Sequence, residues 1–72
     1  MEFAKLVKTI RRDLGYSQEQ LARVLNISFS TVNRWENKKV KPSPMAKKLF
    51  FDFCESKGLN VENYQEVTND TH

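Results

Sequence analysis

The stretch SQEQLARVLNISFSTVNRWE, Ser17 to Glu36, limits what this chain can fold into more than any other. Ser17 is a good N-cap, and Gln20, three residues on, completes a capping box. Leu21, Ala22, Val24 and Leu25 follow at helical spacing. Asn26 then stands where a helix has to stop, and Asn is one of the few residues besides Gly that tolerates the left-handed conformation. Ile27 is apolar and suited to plug the turn. Ser28 supplies a second N-cap, and Val32 and Trp35 lie one turn apart on one face of the helix after it. The stretch predicts two short helices, about 18–25 and about 29–36 or 37, joined by a tight turn. Ala22 is small enough to let them approach at a steep angle.

The flanks supply partners for this pair. Phe3, Leu6, Val7, Ile10 and Leu14 make one apolar stripe of a helix from about Glu2 to Leu14, and Gly15 is the residue expected just past its end. Lys5, Lys8 and Arg12 lie opposite the stripe. After a basic loop, Asn37 to Pro42, Ser43 caps a fourth helix with Pro44 in its first turn. That helix runs to about Ser56 or Lys57, and its broad apolar face is predicted from Met45, Ala46, Leu49, Phe50 and Phe53. Phe51 falls outside that face and is expected on the surface, as part of a partner contact or beneath Val61 and Tyr64. Gly58 ends the helix, and Leu59 is placed to fold back near Cys54. Asn60 to His72 is a polar, acidic tail in which Asn60 is a candidate cap for a short fifth helix. The predicted architecture is all-α: a compact bundle of four or five short helices with a helix-turn-helix, formed by residues 1–59 and followed by the tail 60–72.

With caps, turn, small residue and spacing in agreement, Phe3 to Leu59 resembles the Xre family, the helix-turn-helix proteins of the phage-repressor and Cro type. The sequence departs from the family pattern in three places. Asn26 stands where Gly is usual, Phe29 where many relatives carry Gln, and Lys38 where Gly often follows the Asn. The resemblance implies a λ-repressor-like fold and sequence-specific binding of double-stranded DNA by a bacterial or phage transcriptional regulator.

Composition narrows the alternatives. At 72 residues the chain makes one domain with a small core. Two Gly and two Pro supply few turns for a β-architecture. No apolar run is long enough to span a membrane, and no signal-peptide pattern is visible. The single Cys54 cannot form an internal disulfide, which favours a reducing, cytoplasmic setting. All 12 basic residues lie within 1–59 against six of the nine acidic ones, and most of the excess falls between Arg34 and Lys48. The tail carries Glu62, Glu66 and Asp70 and no base. A basic body points to a polyanionic partner or, more simply, to a solvated basic surface. Chemistry is poorly supplied. The lone His72 is at the chain end, Cys54 has no His or Cys beside it and suits a buried apolar role, and no Gly-rich phosphate loop exists. No enzyme activity, metal, cofactor or small-molecule ligand is expected.

A projection of the third helix at about 100° per residue separates its faces. Val32 and Trp35 point one way, Ser30 and Arg34 the other, with Thr31 and Asn33 on the flanks and Phe29 at the exposed end. Arg pairs bidentately with guanine, Asn with adenine, Ser or Thr with several bases, and an aromatic ring touches the thymine methyl. The plain alternative is an ordinary polar outer face. By resemblance, the base-reading positions fall on Phe29, Ser30 and Arg34, with Thr31 and Asn33 as additions. Gln18 begins the second helix, where free backbone N–H groups favour an anion, and the matching Gln of the family bonds a phosphate. Asn37, Lys38, Lys39 and Lys41 form the loop expected along the DNA backbone. Arg11 and Glu36 stand at the inner edges of the first and third helices, and the equivalent family positions form a structural ion pair. The motif also allows a homodimer on DNA. Two other readings stay open: a DNA-targeting module or antitoxin within a larger system, and an adaptor that uses the fold without reading DNA.

Overall fold

A computed structural model describes residues 2–37, 41–62 and 64. Among these the chain forms four α-helices and no strand: α1 (Phe3–Asp13), α2 (Gln18–Leu25), α3 (Phe29–Glu36) and α4 (Pro44–Ser56). Each of the last three starts on a serine. Ser17 accepts from the Gln20 N–H while the Gln20 side chain takes the Ser17 N–H, a complete capping box, and Ser28 and Ser43 accept from the Thr31 and Ala46 N–H groups.

Helices α1, α2 and α4 close in the same way. A residue of positive φ follows the last turn, Gly15 at 75°, Asn26 at 59° and Gly58 at 74°. The N–H of the next residue then reaches back to a carbonyl of the last turn: Tyr16 to Arg11 at 3.0 Å, Ile27 to Ala22 at 2.9 Å, and Leu59 to Cys54 at 2.9 Å. Asn26 therefore does at the α2–α3 turn what glycine does at the other two.

The core is one cluster drawn from all four helices: Leu6, Val7 and Ile10; Leu21, Ala22 and Leu25; Val32 and Trp35; Phe50 and Cys54. Phe3, Trp35 and Phe50 stack edge to face, with ring centroids 5.4 Å apart for Phe3–Trp35, 5.7 Å for Phe3–Phe50 and 6.2 Å for Trp35–Phe50. The three rings tie α1, α3 and α4 together, each pair adding about 0.5–1.5 kcal/mol beyond area burial.

Two expectations about α4 are corrected. The inner face of α4 is set by Phe50 and Cys54, flanked by Ala46, Phe51 and Phe53. Met45 is instead 82% exposed and Leu49 37%. Phe51 is not a free surface aromatic. Its ring lies 6.3 Å from Phe3 and 6.4 Å from Phe50, half-buried against the core. Val24 of α2 is also exposed. Near the end of the described chain, the Asn60 side chain accepts from the Glu62 N–H at 2.9 Å, and Val61 and Tyr64 pack on the core. The Tyr64 hydroxyl donates to Asp13 at 2.8 Å, which ties the tail to the end of α1. The rest of the fifth helix expected in the tail lies outside the described residues, as do Lys38 and Lys39.

Candidate nucleic-acid interface

Val32, fully buried, and Trp35, 7% exposed, anchor the inner face of α3. Because the helix is short and capped at its start, their burial fixes which residues face out. Ser30 and Arg34 are exposed on the opposite side. Thr31 is half-buried, and its hydroxyl lies 2.8 Å from that of the capping Ser28. Phe29 is 47% exposed and borders a shallow hollow with Glu19, Ala22, Arg23, Asn26 and Ile27. It therefore stands beside the turn with about half of its surface exposed. Lys41 is exposed and lines a groove between α3 and α4 together with Thr31 and Arg34.

Behind this face lies a continuous polar chain. Arg11 grips Glu36 with two N–H groups, Nε to Oε2 at 2.7 Å and Nη2 to Oε1 at 3.1 Å, and its Nη1 donates to the Tyr16 carbonyl at 2.8 Å. Gln18 donates to Glu36 Oε1 at 3.0 Å and accepts from Asn33 Nδ2 at 3.2 Å. Asn33 accepts in turn from Asn37 Nδ2 at 2.8 Å. Burial alone would push the Glu36 carboxyl up, but hydrogen bonds from Arg11 and Gln18 and the charges of Arg11 and Lys8 outweigh it and hold the carboxyl below its ordinary value. The hydrogen bond to Glu36 pushes the Arg11 guanidinium up, against the cost of its burial. The one acid of α3 is thus neutralised from behind, and Arg34 is the charge left on its outward face.

The sequence places Gln18 at a helix start as a phosphate contact and does not disclose this chain of carboxamides. Asn33 and Asn37 carried a signal, since residues four apart on a helix are neighbours. Gln18 and Glu36 carried none, being brought together only when α2 packs on α3. Away from this face, desolvation pushes the buried Cys54 thiol up to about 11. Among the described residues no cluster of His, Cys, Asp and Glu could hold a metal ion, and no helix is long and apolar enough to cross a membrane.

These features define a helical domain with a capped turn, two packed short helices and a polar outer helix face that carries Arg34: a helix-turn-helix of the kind that binds DNA. A protein-family model described as helix-turn-helix matches residues 7–46, more than half of the chain, and the chain belongs to that family, the domain of Xre, Cro and λ-repressor-type proteins. It is a family of DNA-binding proteins in which transcription regulation is typical, not one of enzymes. Comparisons with curated proteins and with solved structures return no match.

Proposed function

We propose that this chain binds a specific double-stranded DNA sequence by laying α3 in the major groove, as a bacterial or phage transcriptional regulator. The observation that carries the reading is the exposure of Ser30 and Arg34 opposite the buried Val32 and Trp35, beside an Asn33 side chain already held in place. Arg34 contacts guanine, Asn33 adenine, Ser30 and Thr31 adjoining bases, and Phe29 a thymine methyl at the helix start. Lys41, with Asn37, Lys38 and Lys39 by their place in the sequence, neutralises phosphates and carries no sequence information. The N–H groups at the start of α2 and the one N–H that Gln18 keeps uncommitted to Glu36 serve a phosphate on the neighbouring strand. Two copies reading half-sites about 34–36 Å apart would give the usual two-fold arrangement.

Selection of bound duplexes from a random pool tests the proposal. A narrow enriched motif, repeated in two-fold symmetry if a dimer binds, supports it. Retention of all sequences alike, or of none at low salt, contradicts it.

A further inference from the structure

A buried carboxylate has acceptors only, and this settles more than the ion pair. The Glu36 side chain is 2% exposed, and its two oxygens take two N–H groups of Arg11 and one of Gln18. Gln18 has to turn its NH2 end to Glu36, because its carbonyl oxygen there would face an acceptor. Its Oε1 is then aimed at Asn33, which can meet it only with Nδ2, at 3.2 Å. Asn33 Oδ1 is left to face Asn37, which meets it with Nδ2 at 2.8 Å. A carboxamide flip, ordinarily free at a surface, is excluded at each link by the one before it. After these bonds Asn33 keeps one N–H and one oxygen lone pair, the pair of groups that meets the N7 and N6 edge of adenine.

Granting the reading of α3 as the base-contacting helix, we infer that Glu36 and Gln18 are positioning residues for base recognition. The carboxylate sets the donor–acceptor direction of the Gln18–Asn33–Asn37 chain, so that Asn33 meets one base pair with its amide already oriented. Gln18 acts on specificity through Asn33 as well as on affinity through the backbone of the DNA.

The test compares the full chain with its Asn33→Ala, Gln18→Leu and Glu36→Gln variants against a library of single-base changes in the selected site, with thermal stability measured alongside. Asn33→Ala marks the base pair that depends on Asn33. Gln18→Leu keeps the Arg11–Glu36 pair and a similar side-chain volume, so it reads the inference even if Glu36→Gln fails to fold. Gln18→Leu is expected to cut preference at that same base pair by about fivefold or more, part of what a bidentate contact supplies, and to leave the relative preferences elsewhere in place. The Asn33 and Asn37 side-chain amide resonances of the free protein should also move. A Gln18→Leu variant that binds all sequences more weakly but keeps full preference at the Asn33 position overturns the positioning role alone. An Asn33→Ala variant with no loss of preference anywhere removes Asn33 as a reader, and the inference with it.

Discussion

Glu36 ties α3, which carries it, to two other helices. Its carboxylate stands between a guanidinium on α1 and a carboxamide on α2. Removing it leaves the Arg11 charge, itself only 13% exposed, without its partner. Breaking a fully buried pair from one side costs about 3–5 kcal/mol, and an exposed pair is worth about 0–1. Glu36→Ala should fall between the two, and Glu19→Ala, on the solvent side of α2, near zero; urea denaturation of both variants measures this. The sign with pH follows from the lowered carboxyl value. The contribution is complete above the ordinary carboxylate range, where the unfolded chain is ionised, and it is lost as pH falls through the lower folded value. Glu36→Gln should remove this part of the acid dependence. Cys54 gives a second residue-scale outcome. Fully buried and with its thiol pushed up to about 11, it should label slowly with a thiol reagent near pH 8 in the native state and rapidly in denaturant. Fast native labelling would show that the core opens readily.

At the scale of the helices, the α2–α3 turn is held by one left-handed residue, Asn26, and one serine cap, Ser28. Asn26→Ala keeps every core contact and forces a Cβ-bearing residue without Asn's local hydrogen bonding into that conformation, so a loss of about 1–2 kcal/mol is expected. Ser28→Ala should cost about 1 kcal/mol through the first turn of α3. Both are read as shifts in thermal midpoint, and a neutral Asn26→Ala would mean that the turn relaxes to another geometry. These elements were legible in the sequence because capping and turn residues act locally. Ser17, Gln20, Asn26, Ser28, Ser43 and Gly58 each mark their position by chemistry that needs no distant partner. The inner face of α4 was not legible in the same way. Met45, Ala46, Leu49, Phe50, Phe51, Phe53 and Cys54 wrap more than half of the helix, so periodicity allows several inward stripes. The choice falls to Phe50 because Phe3 and Trp35 wait across the core to receive its ring. The outer face of α3 could be read because Val32 and Trp35 leave one orientation open, whereas the Gln18–Asn33 contact exists only across two packed helices.

Along the whole chain most of the basic excess falls between Arg34 and Lys48, and the proposed function divides the work between that charge and the α3 face. Arg34 is exposed on the outer side of α3, and Lys41 is exposed on the segment before α4, across the protein's own α3–α4 groove from it. Binding of Arg34→Ala and Lys41→Ala to a site library at several salt concentrations separates the two. Arg34→Ala should flatten preference at one base pair by about 1–3 kcal/mol. Lys41→Ala should weaken all sequences alike and lower the log–log salt slope by about 1, leaving the preferred sequence in place. If Arg34→Ala keeps the preferred sequence and Lys41→Ala changes it, α3 is not the element that reads DNA.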